Sequence, residues 1–404
     1  MYLPTNLLRL ILNYLNKDEK ILLSMTNKYF REKIKSDKEK VHLLYITKKV
    51  CLLQYFYLRI PYKDRIINSA ALNGNLECLK YAYKRGGQLN EKTCVYAAAS
   101  GNLECLKYVY ENCENECSWD EETCISAAKN GNLECLKYAH ENGCPWNGNT
   151  CAYAAANDNL KCLKYAHENG CPWNEDTCAY ASGNGHLKCL KYAYENGCPW
   201  DIRTCAYAAL YGYLECLKYA HENGSPWDEK TCSYAAMGGN LECLKYAHEN
   251  GCPWNERTCM NAAVYGSLEC LKYAHENGCP WDRRTCVNAA KYDRLECLKY
   301  AHENGCPWDK YTCEKAAKYG NLDCLKYACE NGCPWTKLIY IYAIEHNHIE
   351  CLKYLHNSRC WTKWICACVL MGGNLECLKY AYESGCECEY KVRIKEKIEL
   401  CNKD

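Results

Sequence analysis

Residues 255–281 read Asn-Glu-Arg-Thr-Cys-Met-Asn-Ala-Ala-Val-Tyr-Gly-Ser-Leu-Glu-Cys-Leu-Lys-Tyr-Ala-His-Glu-Asn-Gly-Cys-Pro-Trp. The stretch predicts helix, turn, helix, loop. Asn255 stands where an N-cap is wanted, and Cys259, Ala262 and Ala263 make an i, i+3, i+4 face of small residues. Gly266 ends that helix, and Leu268, Cys270, Leu271 and Ala274 form the apolar stripe of the next one. Gly278 stops the second helix, Pro280 cannot continue it, and Trp281 sets a large apolar surface in the loop. Trp recurs in this slot from Trp119 to Trp361, which predicts a row of stacked indoles.

The unit repeats along the chain, with its second-helix cysteine at 78, 105, 135, 162, 189, 216, 243, 270, 297, 324, 351 and 377. The step is 27 residues, broken by a three-residue insertion near Cys113 to Cys117 and a one-residue deletion before Cys377. A unit this short cannot enclose its own apolar face, so it must stack on its neighbours. Cys51-Leu52 with Pro61-Tyr62 falls one period before Cys78-Leu79, so a degenerate copy starts the array. The expected fold is all-α, a helix-turn-helix solenoid of period 27. The expected division is a helical head at 1–36, a degenerate first repeat at 37–62, the array at 63–388 and a charged C-terminal cap at 389–404.

Composition narrows the function. The 404 residues carry 50 basic and 49 acidic side chains, a net charge of +1, which leaves no basic stripe of the kind phosphate neutralisation demands. No nucleic-acid partner is expected. The N-terminus lacks a basic stretch followed by an apolar run, and no segment reaches the ~18 uninterrupted apolar residues of a spanning helix. A cytoplasmic chain without a membrane partner is the expectation.

The 38 cysteines would read as a disulfide framework in a secreted chain. Most fall on three positions of the repeat: in the first helix, in the second, and just after it. One cysteine per structural slot implies packing, because free Cys behaves as a small hydrophobe. Ile67, Tyr340, Ser225 and Gly87 fill these slots elsewhere, so no thiol partner is obligatory. Zinc is the alternative, and it would show as stoichiometric metal. However, C-x-x-C is absent, and the close pairs Cys113/Cys117, Cys329/Cys333, Cys366/Cys368 and Cys386/Cys388 share no pattern. No metal or other cofactor is expected.

The run Thr-Cys-x-x-Ala-Ala-x-x-Gly-Asn-Leu-Glu-Cys-Leu-Lys-Tyr-Ala-x-Glu-x-Gly-Cys resembles the ankyrin repeat. Aligned on Ala262-Ala263, the resemblance places Cys259, Cys270-Leu271 and Cys279 on core slots of that family. Relative to the 33-residue period of ankyrin repeats, six residues are missing between Gly278 and Thr285, so the β-hairpin finger is expected to shrink to a Pro-Trp-Asp loop. The resemblance covers roughly residues 40 to 388. It is nearest to the shortened, Cys- and Tyr-rich ankyrin-like proteins of giant DNA viruses, which implies host cytoplasm as the location.

Nothing in the sequence supports catalysis. The phosphate-binding, nucleophile-elbow and zinc-protease motifs are absent. His at 140, 167, 221, 248, 275, 302 and 356 sits in the last turn of the second helix, where Tyr83, Tyr110, Tyr194, Tyr382 or Cys329 can replace it. Such exchange fits packing on the loop or the helix dipole better than metal ligation. Glu269 and Lys272 form an i, i+3 pair on the exposed face. The chain is not expected to be an enzyme.

Positions that vary on a constant scaffold are the candidates for binding. After the Ala-Ala pair they include Tyr211, Tyr265, Tyr292 and Tyr319; before the Thr they include Arg203, Arg257, Arg283 and Arg284. By the ankyrin resemblance, the first helix and the loop tips line the concave face. Tyr and Arg are enriched at binding hot spots, so these eight make the expected partner surface.

Residues 3 to 30 do not fit the repeat. Leu7, Leu8, Ile11, Leu12 and Leu15 give a broad apolar stripe, and another starts at Ile21. With Leu3, Pro4, Leu23, Ser24, Asn27 and Phe30 the segment resembles an F-box. That resemblance implies docking of Leu3, Pro4, Leu7, Leu8, Ile11, Leu12, Leu15 and Phe30 on the Skp-type linker of a cullin-RING ubiquitin ligase, with a target protein held by the array. The alternative is a cap on the first repeat, leaving a pure binding scaffold.

Overall fold

A computed structural model describes residues 63–113, 119–358, 363–384 and 390–401; the F-box-like head, the degenerate first repeat and the insertion at 114–118 lie outside them. The described residues form 25 helices and no strand. They divide into two compact units between Trp200 and Asp201. Each is a stack of helix pairs. The all-helical repeat architecture agrees with the reading of residues 255–281, and the hairpin finger is indeed reduced to a short loop.

The start of the first helix and the ends of both have local causes. The Asn255 side chain accepts from the Arg257 N–H at 3.0 Å and opens Glu256–Tyr265; Asp282 and Asp309 do the same for the next two first helices. Gly266, at φ 78°, closes the first helix in the left-handed region that glycine enters without steric cost. In the same slot Asp293 and Asn347 adopt φ 58° and 61°. Their side-chain oxygens accept from the Cys324 and Cys377 thiols at 3.6 and 3.7 Å. The second helix, Leu268–Glu276, ends with Cys279 N–H bonded to Ala274 C=O and Gly278 N–H to His275 C=O. That pair of bonds satisfies carbonyls the helix leaves open.

Packing follows from residue size. Ala262, Ala263, Ala289 and Ala290 are fully buried between first helices, while Leu271, Leu298 and Leu325 fill the space under the second helices. Within each unit the first helices pack more closely on one another than the second helices do. Small side chains allow that close approach. Gly238 is the extreme case, since any Cβ there would collide with the Leu210 carbonyl.

A cross-repeat cap adds to this. Asn240 donates from Nδ2 to the Ala209 and Leu210 carbonyls at 3.0 and 2.8 Å, closing the first helix of the preceding repeat. Asn321 does so for Ala290 and Lys291, His348 Nε2 meets the Lys318 carbonyl, and Arg294 Nε meets that of Val264. Any N–H donor of sufficient reach serves. At the C-terminal end, Tyr390–Cys401 is a helix that buries Ile394 against Lys363–Gly372 and Leu375–Glu383.

Candidate functional site

The cysteines were expected to pack, and they do more than pack. Among the described free cysteines, Cys329 and Cys368 are half-buried, Cys401 is exposed and all others are buried. The loop thiol donates to the carbonyl of its own repeat's N-cap residue: Cys252 to Asp228, Cys279 to Asn255 and Cys306 to Asp282, each at 3.3 Å. Ser225 makes the same bond to Asp201 at 3.4 Å, so this slot needs a small donor rather than sulfur as such. The first-helix thiol lies within hydrogen-bonding reach of the loop thiol in the pairs Cys232/Cys252, Cys259/Cys279 and Cys286/Cys306. Burial pushes the second-helix thiols Cys216 and Cys243 up to about 11 and Cys270 up to about 12, which keeps them protonated and inert. One correction applies: Cys113 and Cys366 are disulfide-bonded, beyond the packing role expected of every slot.

The tryptophans require a second correction. Among the described residues they do not stack on one another. Trp254 lies flat on His248, with ring centroids 3.8 Å apart, and both meet Tyr273 of the next repeat edge-on. His248 Nδ1 is 3.0 Å from the Tyr273 hydroxyl. His275 with Trp281 and Tyr300, and His302 with Trp308 and Tyr327, repeat the arrangement. A 27-residue step separates successive indoles too widely for ring contact, so a second ring fills the gap. The sequence carried this signal as a His followed 25 residues later by a Tyr, which the repeat-by-repeat reading missed.

This imidazole-indole-phenol seam runs along the second helices and loops, and the candidate tyrosines stand at the C-terminal ends of the first helices. Tyr211, Tyr265, Tyr292 and Tyr319 end their first helices at 61%, 49%, 43% and 46% exposure. Gly238 leaves a notch between the first two. Tyr265, Tyr292 and Tyr319 stand on consecutive repeats, about 8–10 Å apart by the usual spacing of packed helices. Lys291 threads between two of them, with Nζ 4.6 Å from the Tyr292 ring centroid and 5.4 Å from that of Tyr319.

The arginines are arranged differently. Arg203 pairs with Asp201 at 2.8 Å, Arg283 with Asp309 at 2.7 Å, and Arg284 with both Asp282 and Glu256. A backbone hydrogen bond and then the Arg284 guanidinium hold the Glu256 carboxyl below its ordinary range, and against burial Arg284 does the same for Asp282. Arg257 is exposed. Tyr311, exposed against Arg283 at 5.7 Å, and Lys291 belong to this surface although the sequence reading left them out of the site.

Residues 205–248 match the family of ankyrin repeats in many copies. That segment runs from Cys205 to His248, two turns of the ankyrin-type pattern. Among solved structures, the chain is similar to the human ASB11 ankyrin repeat domain at 20% identity and a TM-score of 0.35, covering 39% of this chain and 84% of that one. No curated protein matches the sequence. Ankyrin repeats are protein-binding scaffolds, and binding of proteins is the role the match carries.

Among the described residues no group of three or more His, Cys, Asp or Glu is placed to hold a metal ion. No described helix is long and apolar enough to cross a membrane. The His residues are occupied by indole and phenol, as packing on the loop required. The Glu269–Lys272 pair is present at 3.0 Å on the exposed face, and its worth is a few tenths of a kcal/mol.

Proposed function

We propose that this chain is a non-enzymatic adaptor that holds a protein partner on the tyrosine row of residues 201–404. The observation that supports the reading is the contrast between phenols. Tyr273, Tyr300 and Tyr327 are tied into the aromatic seam, whereas Tyr211, Tyr265, Tyr292 and Tyr319 project from the same slot of their first helices. A phenol offers large contact area at low entropy cost, with a hydroxyl to satisfy polar groups of the partner. The flanking ion pairs of Arg203, Arg283 and Arg284 are surface pairs worth ~0–1 kcal/mol, so a partner carboxylate can capture these guanidinium groups at little cost. Replacing Tyr265, Tyr292 and Tyr319 together by Ala should abolish capture of the partner retained by the intact chain, with helical content unchanged. Identical capture by both forms would refute the surface.

In the same reading the head, Leu3, Pro4, Leu7, Leu8, Ile11, Leu12, Leu15 and Phe30, docks the Skp-type linker of a cullin-RING ligase, so the captured protein is presented for ubiquitin transfer by raised local concentration. Support comes from the F-box resemblance of residues 3–30 alone. The resemblance to giant-virus proteins makes the partner a host protein. Affinity capture with the whole chain and with a chain lacking residues 1–36 tests it: linker and cullin should vanish with the head while the array's partner stays. If neither form retains linker, the pure scaffold reading holds.

A further inference from the structure

One repeat departs from its neighbours. In the slot of His248, His275 and His302 stands Cys329, on the last turn of Leu322–Glu330 and half-buried where almost all other thiols are sealed. Where Trp308 lies flat on His302, Trp335 stands edge-on to Tyr340, with centroids 6.4 Å apart. The exchange of a ring for a thiol coincides with a cavity of 530 Å³, lined among the described residues by Cys329, Cys333, Trp335, Thr336 and Lys337.

Behind this opening, the Cys313 thiol is within hydrogen-bonding reach of both Cys329 and Cys333. Cys313 is fully buried and Cys333 is 3% exposed. An accessible sulfur therefore backs directly onto a sealed one. In the three preceding repeats the buried pairs Cys232/Cys252, Cys259/Cys279 and Cys286/Cys306 exist without the accessible member.

We propose that Cys329 is a modification site for hydroperoxides, with Cys313 as the resolving thiol that converts the product into an intrarepeat disulfide. The Cys329 sulfur attacks one peroxide oxygen, the O–O bond breaks, and the departing oxygen takes up a proton to leave as water or an alcohol. Cys329 is oxidised to the sulfenic acid and the peroxide is reduced. The Cys313 sulfur then attacks Cys329, the S–O bond breaks, and hydroxide leaves as water with the Cys313 proton. The new bond joins the first helix Lys310–Tyr319 to the second helix of its own repeat.

The test uses the full reduced chain, graded hydrogen peroxide, alkylation of remaining thiols and peptide mapping without reductant. A Cys313–Cys329 linked peptide should form about tenfold faster than any link between Cys259 and Cys279, whose repeat carries His275 in the accessible slot. Cys313→Ser should stop the link and leave a sulfenic acid on Cys329 that dimedone traps. Cys329→His restores the residue of the neighbouring repeats, so it should fold with unchanged helicity and lose the fast phase. The proposal fails if Cys329 reacts no faster than Cys279. It also fails if Cys329→His oxidises at the rate of the unaltered chain, since a Cys313–Cys333 link would then explain the chemistry without Cys329.

Discussion

His248 lies parallel to Trp254 with ring centroids 3.8 Å apart, and its Nδ1 meets the Tyr273 hydroxyl of the following repeat at 3.0 Å. One side chain thus couples its own loop to its neighbour's helix. His248→Ala removes both the stack and the hydrogen bond and should cost about 1–2 kcal/mol. His248→Tyr should cost far less, because Tyr194 already stacks on Trp200 at 3.8 Å in the same slot. Thermal melts of the two variants beside the parent chain measure the difference.

Asn321 carries the equivalent load on the first-helix side, donating to two carbonyls of the preceding first helix at 2.7 and 2.8 Å. Asn321→Ala leaves both carbonyls half-buried without that donor and should destabilise by about 1–2 kcal/mol. Asn321→His should retain most of the stability, since His348 reaches the Lys318 carbonyl from this slot. Urea unfolding midpoints read both.

The loop thiol makes a sharper comparison between size and hydrogen bonding. Cys279→Ser should be close to neutral because Ser225 shows the hydroxyl making the same bond, whereas Cys279→Ala should cost about 1 kcal/mol for the lost donor and sulfur contacts. Equal melting temperatures for the two variants would assign the slot to volume alone.

His356 gives the array a pH dependence. Burial holds its imidazole below the ordinary range, so the unfolded chain takes up a proton at higher pH than the folded one. The stability from this ring is complete above the unfolded value of about 6.5 and is lost as pH falls through the folded value. Melting temperature should drop between pH 7 and pH 5, and His356→Tyr, the residue of Tyr382 in the next repeat, should flatten that part of the drop.

The core and the helix boundaries were legible in residues 255–281 because small and apolar side chains recur at helical spacing, and each unit repeats the same solution. Leu271, Cys259 and Ala262 needed no coordinates to be placed inside. The tyrosine row was legible too, as variation on a constant frame. The state of its arginines was not. Arg283 reaches Asp309 and Arg284 reaches Glu256 across the repeat boundary, so their pairing depends on how one unit sits on the next.

Periodicity alone determined that helix pairs must stack, since no single pair of 27 residues can bury its apolar face. It also determined which side chains line the shared core. Only the tertiary structure decided which rings touch, which carbonyl each thiol and each Asn serves, and that Cys329 opens beside a sealed sulfur. Those contacts join residues 16 to 31 positions apart, and the distance between them is fixed by helix packing rather than by sequence spacing.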